Sequence, residues 1–137
     1  MYKNLIEAAR EEGIKEVSID ALVRKEDGKV LLVEDLQSVD PFYHFPCVRV
    51  KDDETIPQAI QRAVTESTAM EIKEVLRYLG HYDVGLRRHL NFVVEVNDPF
   101  AVEGNKSISF AWLDVQEAVG YPIQDEVREM LDLYSKA

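Results

Sequence analysis

Apolar side chains recur at helical spacing in some stretches of this chain and at strand spacing, or in short runs, in others. Leu5, Ile6, Ala8 and Ala9 gather on one side of a short amphipathic helix over residues 4–12, with Gly13 as its stop. Residues 17–24 and 29–33 read as strands. The Glu26-Asp27-Gly28 segment between them is a good hairpin turn, so the two are expected to pair. Residues 35–43 are polar and contain Pro41, which predicts a loop, and residues 45–50 make a short strand. Residues 74–84 and 89–96 predict a second hairpin, turning at Gly85-Leu86-Arg87. A loop over 97–106, a strand over 107–113 and a closing helix over 124–135 complete the chain. Strands interleaved with a few helices point to an α+β or α/β sandwich.

The helix over residues 56–68 carries its own start signal. Thr55 is a good N-cap, Gln58 completes a capping box, and Pro57 falls in the first turn, where a missing amide costs little. Ile56, Ile60, Ala63 and Ser67 form one apolar-to-small face, with Arg62, Thr65, Glu66 and Ala69 on the others. On the last helix Val127, Met130, Leu131 and Tyr134 make a stripe expected to serve as core or as the contact of a homodimer.

Bulk properties narrow the partners. The 137 residues are read as one domain, with 46% hydrophobic and 31% charged residues, as in soluble globular chains. No apolar run is long enough to cross a bilayer, and the N-terminal residues lack a signal-peptide core, so no membrane partner is expected. Cys47 is the single cysteine, which excludes an internal disulfide and fits a reducing, cytoplasmic setting. A formal charge of -10 argues against a nucleic-acid partner. An anionic phosphate ligand would need a cation, either a metal or clustered arginines.

Between Val48 and Met70 lies a spaced pattern that carries chemistry. Laid without gaps on G-x5-E-x7-R-E-U-x-E-E-x-G-U, where U is a bulky aliphatic residue, the chain matches at Glu54, Arg62, Val64, Glu66 and Met70. It departs at Val48 and Ala69, where the pattern has glycine, and at Ala63 and Ser67, where it has glutamate. On these residues, and on Tyr43-His44-Phe45-Pro46, Gly80-His81-Tyr82, the run from Arg88 to Phe92 and the Trp112-Leu113 pair, the chain resembles the Nudix hydrolases over most of its length, with a degenerate box.

That resemblance implies a Nudix-like α-β-α sandwich with a mixed sheet, and cleavage of a nucleoside diphosphate linked to another group, with Mg²⁺ or Mn²⁺. Carried over residue by residue, Glu66 is a metal ligand, and Glu54 and Arg62 support the box and orient its carboxylates. The Cys47 backbone carbonyl, and Glu103 from the loop before the last strand, would be further metal ligands. Taken singly, Glu54 is also a first-turn carboxylate favoured by the helix dipole, and Arg62 with Glu66 an ordinary i,i+4 pair. Arg49, Arg88 and Tyr43 are candidates for substrate binding; each also reads as a solvated charge or a packed ring. Neutral residues at Ala63 and Ser67 remove charge from a site that needs oxygens converging on a hard cation. Two functions follow: a pyrophosphohydrolase of weakened or altered activity on a nucleotide-type small molecule, or a nucleotide-binding or protein-interaction domain without turnover. A thiol nucleophile at Cys47 has no support in the spacing, since small buried cysteines are usual. The scattered histidines make no zinc pattern.

Overall fold

A computed structural model describes residues 2–36, 42–103 and 108–136. The expected loops over 35–43 and 97–106, and the first residue of the strand over 107–113, lie partly outside these. In chain order the elements are α1 (Lys3–Glu11), β1 (Glu16–Val23), β2 (Val30–Asp35), β3 (Cys47–Arg49), α2 (Ile56–Thr68), β4 (Ile72–Val84), β5 (Arg87–Val96), a 3₁₀ turn (Pro99–Ala101), β6 (Ile108–Leu113), α3 (Val115–Val119) and α4 (Asp125–Lys136). The main sheet runs β3-β1-β5-β4. β1 is parallel to β5 and antiparallel to β3, and β4 is antiparallel to β5, so the sheet is mixed. β2 and β6 form a separate antiparallel pair.

One expectation fails here. The turn after β1 is present, with Gly28 at φ +86° and its amide on the Lys25 carbonyl, yet β1 and β2 do not form a hairpin. Both edges of β1 are already occupied, by β3 on one side and β5 on the other. The chain therefore leaves β1 for the second sheet after one bridge, Arg24 to Val30. β4 and β5 do form the expected hairpin around Gly85, at φ +61°.

Alternation along the strands produces a core on each face of the main sheet. Ile19, Ala21 and Val23 of β1 and Leu90, Phe92 and Val94 of β5 face Ile56, Ala59, Ile60 and Val64 of α2. Leu22 and Val93 face the other way, toward Val127, Met130 and Leu131 of α4. The α4 stripe is thus consumed within the chain, with Tyr134 packed beside it, and does not supply the dimer contact it was a candidate for. No helix of the described residues is long and apolar enough to cross a membrane.

The start of α2 forms as its sequence dictates. The Gln58 amide donates to the Thr55 hydroxyl at 3.3 Å, and the Thr55 amide donates to the Gln58 side-chain carbonyl at 2.9 Å. Its end shows why the box pattern has glycine at position 69. Ala69 sits in the left-handed region at φ +63°, a conformation in which a Cβ crowds the following carbonyl and glycine does not. Ala69→Gly is expected to raise stability by about 1 kcal/mol, read from the urea midpoint at unchanged m-value. A lower midpoint would show that the alanine methyl contributes more packing than its backbone strain costs.

Candidate functional site

The box folds around Arg62. From the second turn of α2 its guanidinium donates twice to Glu54, at 2.8 and 2.9 Å, once to Glu66 at 3.0 Å and once to the Arg49 carbonyl at 2.6 Å. The fork matches a carboxylate in two places, which a lysine would not. Helix, loop and strand edge are thereby tied at one point. The paired guanidinium holds the Glu54 carboxyl below its ordinary value, and Glu54 with Glu66 drives the Arg62 pKa up. Glu54 is largely shielded, at 11% side-chain exposure, whereas Glu66 is open at 56%.

The two replaced glutamate positions differ. Ala63 is completely buried, at 0% exposure, while Ser67 is half-buried on the last turn. Val48, in place of a glycine, joins the strand and packs against the α2-side core. Cys47 is a strand residue opposite Asp20. The neighbouring residues Pro46 and Val50 spend backbone bonds on β1, so by antiparallel alternation the Cys47 carbonyl faces the free edge of the sheet, as the Arg49 carbonyl does. Glu103 is exposed and its amide donates to the Thr68 carbonyl, which sets it beside the C-terminal end of α2.

The substrate-binding candidates are not brought together. Arg49 is exposed, pairs with Glu16 at 3.4 Å, and borders an open depression with Lys51 and Arg62. Arg88 has a side chain only 5% exposed, and it donates twice to Asp83 and twice to Glu12, which clamps the end of α1 to the β4–β5 hairpin. Its place on the inward-facing side of β5 brings the guanidinium to those two carboxylates. Tyr43 bridges to Ile123 and meets the Tyr121 ring edge-on at 5.1 Å, so it packs near α4.

A Mg²⁺ or Mn²⁺ pair bridging two phosphates needs several anionic oxygens on one point. Here the box offers the Glu66 carboxylate, already paired with Arg62, a Ser67 hydroxyl and backbone carbonyl. These residues do not fit a two-ion site.

On the opposite face of the sheet lies a cavity of about 240 Å³, lined among others by Asp20, Phe45, Cys47, Tyr82, His89 and Gln124. Asp20 is buried. It accepts from the Tyr82 hydroxyl at 2.9 Å and lies 3.0 Å from His89 Nδ1, and the Tyr82 ring stacks on the imidazole at 4.7 Å. Burial, and then the Asp20 carboxylate, push the Cys47 thiol well above its usual range, so it is no thiolate nucleophile. Sequence reasoning missed Asp20 and Tyr82 as site residues, because they come from strands distant in the chain. The one available signal was a carboxylate inside an otherwise apolar strand pattern, where burial demands partners.

The backbone is similar to the E. coli ORF135 protein in solution, at 22% identity, covering 91% of this chain and 92% of that one with a TM-score of 0.71. It is also similar to a NUDIX hydrolase from Nitrosomonas europaea, at 22% identity, 88% of each chain and a TM-score of 0.72. An ADP-ribose pyrophosphatase from Streptococcus suis aligns at 16% identity over 88% of this chain and 90% of that one, with a TM-score of 0.71. No curated protein matches the chain in sequence. At such identities the structural likeness speaks for the fold, and membership rests on the sequence profile of the NUDIX domain, which matches residues 14–134. Matched over nearly its whole length, this chain belongs to the Nudix hydrolase family.

Proposed function

We propose that this protein binds a nucleoside diphosphate-linked small molecule and hydrolyses it weakly, with a divalent cation held mainly by the ligand's own phosphates. The observation that carries the reading is the box helix itself. Of its three glutamate positions only Glu66 keeps a carboxylate, and that carboxylate is shared with Arg62. Glu66 and the Cys47 carbonyl are the donors proposed toward one Mg²⁺ or Mn²⁺, with Glu103 near the helix end as a further carboxylate. Cys47 also links the two sides of the site: its carbonyl faces the free strand edge and its side chain enters the cavity. A ligand laid across that edge would set its phosphates near Arg49 and Arg62 and part of the rest in the cavity. At about 240 Å³ the cavity suits a fragment such as a base, since pockets that enclose whole ligands run to roughly 300 Å³ or more.

The burial of Ala63 favours a second function, nucleotide binding without turnover, because no base can act from that position. The two are separated by measuring phosphate and pyrophosphate release over nucleoside triphosphates, dinucleotides and nucleotide sugars, with Mg²⁺ and Mn²⁺. Ser67→Glu adds a second carboxylate one position from Glu66 on a half-buried turn. It is expected to raise metal-dependent turnover roughly tenfold or more, on the low side of the ~10²–10⁴ attributed to a positioned catalytic group. Glu66→Gln is expected to remove what turnover there is. Brisk wild-type turnover left intact by Glu66→Gln would sink the assignment. Calorimetric binding with no release in any variant would select the second function.

A further inference from the structure

Asp20, Cys47 and His89 are brought together by adjacent strands. Cys47 on β3 is the register partner of Asp20 on β1, and His89 on β5 pairs with Ser18, two residues before Asp20 and on the same face. One ligand-capable atom from each lies within 4.8 Å of the other two, the only such group of three among the described residues. From these observations we infer that the trio is a binding site for a single soft divalent ion of the zinc class, on the cavity side of the sheet and sharing only the residue Cys47 with the proposed phosphate site, with its remaining position open to the cavity.

Donor chemistry selects the ion. A thiolate, an imidazole and one carboxylate suit zinc and disfavour magnesium, which takes oxygen ligands in an octahedron. Zinc binds sulfur at about 2.3 Å and nitrogen or oxygen at about 2.0–2.2 Å, which sets tetrahedral ligands roughly 3.3–3.8 Å apart. Closing the present trio onto an ion therefore takes roughly 1 Å of side-chain movement on fixed strands. Charge also balances. The ion displaces the Cys47 proton to solvent, His89 binds as neutral imidazole through Nδ1 with its proton on Nε2, and the two positive charges meet one thiolate and one carboxylate. A neutral cluster can be buried where a free cation could not.

The surroundings are those of a supported site. The Tyr82 hydroxyl bonds the second Asp20 oxygen and its ring stacks on His89, which fixes two ligands from outside the shell. Asn91, the register partner of Asp20 on β5, carries a buried Oδ1 that has no hydrogen-bond partner among the described residues. With three protein ligands and one open place, the trio has the count of a zinc site that accepts an exogenous group.

The test begins with protein dialysed against a chelator. Zn²⁺ is titrated in competition with a chromogenic indicator, and Co²⁺ is added in parallel to read the thiolate-to-cobalt charge-transfer band. One equivalent of zinc is expected to bind, unaffected by excess Mg²⁺, with the cobalt band present in wild type and absent in Cys47→Ser. Tyr82→Phe should weaken binding roughly 10–100-fold, as removal of outer partners does, and Cys47→Ser, Asp20→Asn and His89→Gln by more. His81→Gln, on the exposed hairpin, should leave it unchanged. Absence of the cobalt band from folded wild type, or zinc binding equal in wild type, Cys47→Ser and His89→Gln, overturns the site. Far-ultraviolet circular dichroism confirms that each variant is folded, and the wild-type cobalt spectrum decides the matter even if one is not.

Discussion

Ala63→Glu is expected to destabilise the protein by about 3–5 kcal/mol and to restore no activity, although it rewrites the box toward its family pattern. Ala63 is wholly buried on the core-facing side of α2, two turns on from Ile56 and one from Ile60. A carboxylate placed there loses its hydration without a partner, and its extra atoms must displace packed neighbours. Its pKa would rise until the group went neutral, so it would be a poor metal ligand as well. Ser67 lies on the last turn and keeps access to solvent, so only that half of the lost pair is open to repair. Urea denaturation of the single variants and of Ala63→Glu/Ser67→Glu reads this directly. A double variant within about 1 kcal/mol of wild type, with new metal-dependent turnover beyond that of Ser67→Glu, would show that position 63 opens toward the site after all.

Arg62→Ala carries the second large effect, an expected loss of about 2–4 kcal/mol at neutral pH. The truncation leaves the shielded Glu54 carboxylate with the Lys51 amide as its remaining hydrogen bond in the box, and frees the Arg49 carbonyl at the strand edge. Arg62→Lys should recover only part of the loss, since an ammonium cannot reproduce the two parallel bonds to Glu54. The sign of the pH dependence follows from Glu54. Its folded pKa lies below the ordinary 4.5, so its contribution is fully present above that value and fades as pH falls through the lower, folded one. The stability difference between wild type and Arg62→Ala should therefore narrow below about pH 4.5. A difference independent of pH from neutral down to acid unfolding would show that packing of the Arg62 stem, not the ion pair, accounts for the loss.

The two substitutions test different parts of the same motif. Glu54, Arg62 and Glu66 form the ion-paired frame that joins loop, helix and strand, and that frame is intact. Ala63 and Val48 have turned toward packing, the one buried in α2 and the other partly buried against the adjacent core. A box can keep its shape while its carboxylates are replaced, because the shape depends on the capping box, the Arg62 fork and the apolar face of α2. None of these needs a metal ion.

Much of this was legible along the chain. The Thr55 cap, the period of Ile56 and Ile60 and the alternation through β4 and β5 act between residues a few places apart, so the elements they specify can be named before the fold is known. The spacing of Glu54, Arg62 and Glu66 was visible for the same reason, since helical neighbours three and four apart must meet. Partner choice between strands is another matter. The Gly28 turn looked like a hairpin and makes the expected bend, but β1 had both edges claimed by β3 and β5, contacts that no local signal reports. Arg88 read as a free cation until its strand position aimed it inward at Asp83 and Glu12. Asp20, Cys47 and His89 carry no spacing signature at all. They meet because register across three strands places them on one face, and register is settled by the burial of both sheet faces together, not by any segment alone.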